Sequence, residues 1–221
     1  MSHSQVSSCC TGLYALTPDE PDCGKLRAMA EAVMAGGCRW LQYRNKSADP
    51  ATRRVQAQML AEQCRAYGAR LIVNDDPFLA REVGAAGAHL GRDDGDPQAA
   101  RTLLGANAIL GVTCYQDIAR AKAMRRQGAD YLAFGAIYPS PSKPHALPVS
   151  LALLRRACKN LDTPICAIGG ITLENAAPLC RAGIGFLAVC HDLFARPPEK
   201  IASRAAAYQA LFQEFFHDQQ R

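Results

Sequence analysis

The chain is 221 residues long with 49% hydrophobic residues, 17 Gly and 13 Pro, which suits one large globular core at a length that α/β barrels often reach as a single domain. It contains no apolar run long enough for a membrane helix, which excludes an integral helical membrane protein. The formal net charge of +5 comes from 25 Lys and Arg spread along the chain, so a nucleic-acid groove is not expected and phosphorylated small molecules are the better-suited partners.

Residues 1–12, MSHSQVSSCCTG, are polar and carry neither the basic start nor the apolar stretch of an export signal; they predict a flexible tail and a cytoplasmic protein. The ten cysteines are scattered singly apart from Cys9 and Cys10, with no CxxC pair, and predict reduced thiols in apolar surroundings. Nothing in the sequence specifies the oligomeric state, and a homo-oligomer stays open.

Short apolar runs follow at 13–16 (LYAL), 40–43 (WLQY), 70–73 (RLIV), 88–90 (AHL), 108–112 (AILGV), 131–134 (YLAF), 164–168 (PICAI) and 186–190 (FLAVC), giving eight candidate strands. Between them lie helical spacings: Leu26, Met29, Ala30 and Val33, then Val55, Met59 and Leu60, later Ile118, Ala121 and Met124. Pro197 and Pro198 mark a last helix start, with Ile201, Ala205, Tyr208, Phe212 and Phe215 along one face. Strand–helix alternation implies parallel pairing, and eight such units predict an α/β fold, a single-domain (β/α)8 TIM barrel over residues 13–218. An open doubly wound sheet is the rival, but no GxGxxG turn follows the first strand.

In such a barrel the site lies at the carboxyl ends of the strands. Gln42, Arg44 and Lys46 recur at every second position after strand two and so face the mouth as an anion clamp, while Leu41 and Tyr43 pack outward; a solvated strand end with salt bridges is the alternative. Asn74, Asp75 and Asp76 follow strand three, and Arg92, Asp93 and Asp94 follow strand four. Asp75 and Asp94 can share a divalent cation, although NDDPF and DDGDP also look like helix starts in which Asp76, Asp93 and Asp96 are caps. Thr113 ends strand five. Gly169 and Gly170 end strand seven, either as a phosphate seat or as a plain turn. The segment FGAIYPSPSKPH, residues 134–145, is a proline-stiffened loop with Ser140, Ser142 and Lys143 that either closes over a ligand or stays rigid. His89 reads first as a hydrogen-bonded core residue and second as a group beneath a bound anion, and Trp40 reads as packing.

QYRNK, VNDDP, HLGRDDGD, GVT, GAIYPSPSKP and AIGGIT, in this order and spacing, resemble the thiamine phosphate synthase family, with the likeness running from Leu13 to Phe194. The resemblance implies a Mg²⁺-dependent transferase that couples a hydroxymethylpyrimidine diphosphate to a thiazole phosphate and releases pyrophosphate by a dissociative path. It implies that Gln42, Tyr43, Arg44, Asn45, Lys46, Asn74, Thr113 and Lys143 hold the pyrimidine diphosphate, with Arg44, Lys46 and Lys143 acting on the leaving group. Asp75 and Asp94 would carry Mg²⁺, and Ser140, Pro141, Ser142, Gly170, Cys190 and His191 would hold the thiazole phosphate. The chain departs from the family pattern in three places. Ser stands for the usual Thr at 140 and 142, Arg92 for a frequent Gln, and Cys190, His191 and Asp192 for a small hydroxyl-bearing stretch after strand eight. A Cys190–His191 catalytic pair is not expected, because neighbours on a strand point to opposite faces. The rivals are a thiazole tautomerase on the same barrel, which should not need the two aspartates, and a phosphate-ligand sensor, which the strand-eight departure favours.

Overall fold

The computed structural model describes residues 11–139 and 148–218. Among them eight parallel strands alternate with helices and close into a barrel in chain order, which removes the open-sheet alternative. The elements are β1 (Gly12–Leu16), α1 (Cys23–Ala35), β2 (Trp40–Tyr43), α2 (Pro50–Ala66), β3 (Arg70–Asn74), α3 (Pro77–Glu82), β4 (Gly87–Leu90), α4 (Pro97–Leu104) and β5 (Ile109–Tyr115). They continue with α5 (Ile118–Arg126), β6 (Tyr131–Gly135), α6 (Leu151–Asn160), β7 (Ile165–Ile168), α7 (Leu173–Arg181), β8 (Phe186–Val189), α8 (His191–Phe194) and α9 (Pro198–Asp218). The barrel shuts where Gly12 pairs with Phe186 and Tyr14 with Ala188. Most of the predicted tail, residues 1–10, lies outside the described residues. No helix among the described residues is long and apolar enough to cross a membrane.

Local chemistry sets the helix starts. Asp22, Asp49, Asp76, Asp96 and Asp117 each accept amide hydrogen bonds at an N-cap, and Pro50, Pro77 and Pro97 occupy first turns where no amide donor is lost. Alternation along the strands then divides the core in two. Leu13, Ala15, Leu41 and Val73 face the helices, whereas Tyr14, Leu16, Trp40, Ile72, Tyr131 and Phe186 fill the barrel interior. Gly111 makes that interior achievable: a Cβ there would lie 2.0 Å from Cζ of Tyr131, so only glycine lets this ring cross toward Tyr14.

The structure revises three expectations in detail. β5 runs on to Tyr115, past the predicted end, through a register shift between Thr113 and Tyr115, where Tyr115 takes a left-handed φ of 56°. The α2 stripe is offset: Leu60 is buried as expected, but Val55 is 59% exposed and Met59 half-buried, and Gln56, Ala57, Ala61 and Cys64 complete the inner face. The one-turn helix α8 follows β8 directly where a strand end was expected. The eight described cysteines are all free thiols.

Candidate active site at the barrel mouth

Parallel strands bring all carboxyl ends to one rim, and the QYRNK segment crosses it. Gln42 is 3% exposed and points inward, its Nε2 donating to the Tyr14 hydroxyl at 2.8 Å. Tyr43 and Asn45 point the other way. The Tyr43 hydroxyl and Asn45 Nδ2 both donate to Gln56 Oε1, at 2.9 and 3.0 Å, and Gln56 Nε2 donates to the Glu20 carbonyl. These two buried side chains brace the segment from behind, and they line one small cavity together with Lys46, Asn74 and Asp75.

Arg44 and Lys46 do reach the rim, and a residue that the sequence reading passed over positions both. Asp19, just past β1, accepts from Arg44 Nη1 at 3.1 Å and from the Lys46 amide at 2.7 Å. Thr17 adds a reciprocal pair of bonds: its Oγ1 donates to the Arg44 carbonyl and accepts from the Arg44 amide. The signal was present in LTPDE, a hydroxyl and a carboxylate directly after a strand.

The aspartates separate by role. Asp76 and Asp96 cap α3 and α4, while Asp93 is exposed. Asp75 and Asp94 cap nothing. Asp75 sits at φ 64°, a left-handed conformation that is costly outside glycine, and its Oδ2 lies 3.0 Å from Lys46 Nζ. The Asp94 carboxyl accepts from the Gly91 amide at 2.8 Å and lies beside the Asp75 side chain. Burial, then the neighbouring Asp75 carboxyl, raises the Asp94 pKa against the pull of the Gly91 amide and Lys46. Two carboxyl groups brought this close are a donor set that suits a hard divalent cation. Among the described residues no group of three or more His, Cys, Asp or Glu is arranged to hold a metal, so water and substrate oxygens must complete such a sphere.

Beneath the rim a buried chain runs across the barrel. Tyr14 and Tyr131 hydroxyls lie 2.9 Å apart, Tyr131 Oη lies 2.9 Å from His89 Nδ1, and His89 Nε2 lies 2.8 Å from Thr113 Oγ1. His89 is thus a hydrogen-bonded core residue stacked on Tyr131, 7% exposed. Asn74 ends β3 opposite His89, half-buried.

Ser140, Pro141, Ser142 and Lys143 lie outside the described residues. Gly170 takes φ 62° with no room for a Cβ, which would lie 2.5 Å from the Pro139 carbonyl oxygen, and Asn175 Nδ2 donates to its carbonyl. After β8, Cys190 is the N-cap of α8 and His191 its exposed first residue, so the pair leaves the strand before alternation applies. Burial pushes the Cys190 thiol up to about 11, with Arg44 pulling against it. Asp192 turns into the helix layer, where its carboxylate accepts from Arg204 Nε at 2.8 Å, Arg196 Nη2 at 2.8 Å, Tyr208 Oη at 2.7 Å and the Leu173 amide at 3.2 Å. This stretch is a structural anchor between α7, α8 and α9 that no short motif would have shown.

The sequence model of the family described as Thiamine monophosphate synthase matches residues 13–193. A thiamine-phosphate synthase of Azoarcus sp. (strain BH72) is 51% identical over 201 residues, 91% of this chain and 97% of its own. One of Thioalkalivibrio sulfidiphilus (strain HL-EbGR7) is 51% identical over 198 residues, 89% of this chain and 94% of its own. A solved thiamine phosphate pyrophosphorylase from Pyrococcus furiosus superimposes with a TM-score of 0.82 at 25% identity, covering 93% of this chain and 97% of that one. On residues 13–193 and on these identities, the chain belongs to the thiamine monophosphate synthase family.

Proposed function

We propose that this mouth joins 4-amino-2-methyl-5-hydroxymethylpyrimidine diphosphate to thiazole phosphate, giving thiamine phosphate and pyrophosphate by a Mg²⁺-dependent, dissociative substitution. Family membership supports the overall reaction. The observation that carries the site is the meeting of Lys46, Asp75 and Asp94 above the wall that holds Gln42 and Thr113.

In this reading Gln42, Asn74 and Thr113 hold the pyrimidine diphosphate from the wall, and Arg44 and Lys46 meet its phosphates with a planar fork and a point charge. Asp75 and Asp94 would hold Mg²⁺, which when bound neutralises charge on the diphosphate oxygens. As the bond to the methylene carbon breaks, Arg44 and Lys46 stabilise the charge that builds on pyrophosphate. The aminopyrimidine ring delocalises the cation left behind, and the packed interior of Tyr14, Trp40 and Tyr131 keeps water from reaching it through the barrel. The thiazole nitrogen then attacks, its phosphate held by Gly170 and the strand-eight end at Cys190 and His191, with Ser140, Pro141 and Ser142 assigned to that phosphate, and Lys143 to the leaving diphosphate, on the family pattern alone. No protein nucleophile takes part, and a Cys190 thiol raised to about 11 does not offer one. We place the reaction in the cytoplasm.

Both substrates mixed with the protein and Mg²⁺ should yield thiamine phosphate and pyrophosphate in equal amounts, read by chromatography and a pyrophosphate assay. EDTA, Asp75→Ala and Asp94→Ala should each stop turnover. Coupling that survives all three would overturn the metal assignment, and isomerised thiazole phosphate without coupling would overturn the transferase.

A further inference from the structure

Gln42 and Thr113 are the two ends of one hydrogen-bonded chain that passes through Tyr14, Tyr131 and His89, every link between 2.8 and 2.9 Å. Tyr14 is 1% exposed, Tyr131 0% and His89 7%. Neither tyrosine lies on the rim.

We propose that Tyr14 and Tyr131 are positioning residues that fix which hydrogen-bonding face Gln42 and Thr113 turn toward the substrate. The inference rests on the reading of Gln42 and Thr113 as substrate contacts. A hydroxyl carries one proton, so once Gln42 Nε2 donates to Tyr14 the Tyr14 proton goes to Tyr131, and the Tyr131 proton goes to His89 Nδ1. His89 is then the Nε2–H tautomer and donates to Thr113 Oγ1. Both ends are set by this order. Gln42 keeps its Oε1 as an acceptor, and Thr113, already accepting from His89, keeps its own proton to donate. The mouth therefore favours a ligand that brings a donor to Gln42 and an acceptor to Thr113, and running the chain in the opposite sense would reverse both preferences. Burial makes the order costly to break at Tyr14, whose hydroxyl proton would lose its acceptor among the described residues if the link to Tyr131 ran the other way. Gly111 belongs to the device, since it admits the Tyr131 ring.

The first test needs no variant. Long-range ¹H–¹⁵N spectra of the ¹⁵N-histidine-labelled protein should show His89 as the Nε2–H tautomer, with its signal assigned by its loss in His89→Gln. An Nδ1–H or doubly protonated ring would overturn the order. Kinetics follow on Tyr14→Phe, Tyr131→Phe and the double variant, which keep the rings and remove the hydroxyls. Each single change should lower kcat/KM for the pyrimidine diphosphate about tenfold, leaving KM for the thiazole phosphate within about twofold. Because the chain acts as a unit, the double variant should lose little beyond either single one, whereas independent roles would multiply. Full kcat/KM in folded single variants, or a multiplied loss in the double one, overturns the proposal. If Gln42→Ala and Thr113→Ala leave KM for the pyrimidine diphosphate unchanged, the substrate contacts fail and the inference with them; the tautomer spectrum then tells that failure from a wrong proton order.

Discussion

Replacing Asp192 by Asn should separate stability from chemistry at the strand-eight end. Burial pushes this carboxyl up, but hydrogen bonds from Arg204, Arg196 and Tyr208 outweigh it and bring it from 3.8 down to about 2. At about 1.4 kcal/mol per unit this difference stabilises the fold by about 2 kcal/mol. The group is depressed in the folded state, so its contribution is complete above the unfolded pKa of 3.8 and is lost as pH falls through about 2. Asn keeps the size but leaves two guanidinium groups without their counter-charge. Loss of one partner of a buried pair costs about 3–5 kcal/mol, and the lower end applies here because Arg204 keeps Glu174 at 2.7 Å and the Arg196 side chain is 37% exposed. About 3 kcal/mol corresponds to a fall in Tm of roughly 6–12 °C for a chain of this size. Thermal and urea melts at pH 7, 5, 4 and 3 would measure it. The gap between the parent and Asp192→Asn should be widest at pH 7 and narrow by about 1 kcal/mol between pH 5 and pH 3. Turnover well below Tm should change less than about threefold, since no atom of Asp192 is assigned to a substrate. A Tm within 2 °C of the parent (roughly 1 kcal/mol or less), or a gap that stays constant with pH, would refute the anchor.

Two further outcomes follow from the same geometry. Gln56→Ala removes the hub that holds Tyr43, Asn45 and the Glu20 carbonyl, and should cost about 2–4 kcal/mol while raising KM for the pyrimidine diphosphate about tenfold; an unchanged KM in the folded variant would show that the clamp keeps its shape unaided. With its pKa near 11, the Cys190 thiol should be thiolate in only about one molecule in three thousand at pH 7.5, so iodoacetamide should label it roughly a hundredfold more slowly than glutathione, with the rate climbing toward pH 10. Rapid labelling at neutral pH, read by mass spectrometry, would contradict that burial.

What could be read from the sequence was what periodicity and strand ends encode. Eight apolar runs foretold eight strands because in a parallel barrel each strand is buried on both sides, and the side-chain alternation of QYRNK told Gln42, Arg44 and Lys46 apart from Tyr43. The caps were also legible, and with them the division that sets Asp76 and Asp96 at helix starts and leaves Asp75 and Asp94 for the mouth; Asp93, expected as a cap, is exposed instead. The backbone rotation that aims Asp75, φ 64°, was not legible, because no composition signals it. Long-range partners were out of reach altogether. Tyr14 and Tyr131 are 117 positions apart, and Asp192 finds Arg204 only because α9 folds back on the barrel.

Asp19 changes the electrostatics of the mouth. Counted over the described residues of the rim cluster, Arg44 and Lys46 face three carboxylates, Asp19, Asp75 and Asp94, and each cation is already paired, at 3.1 and 3.0 Å. A diphosphate of about −3 therefore meets no net positive mouth from these groups, and Coulomb attraction alone would not hold it there. The pairs are nonetheless easy to exchange. The Arg44 side chain is 33% exposed and that of Lys46 58%, and ion pairs this open are worth about 0–1 kcal/mol, so a phosphate can take either cation at small cost. In the proposed reaction the carboxylates thus have two separate duties. Asp19 keeps Arg44 extended and aimed before substrate arrives, while Asp75 and Asp94 make the binding of the anion conditional on a divalent cation. A mouth that was strongly positive at rest would bind the diphosphate and its pyrophosphate product equally well, and uniform binding of that kind slows release without speeding the bond cleavage.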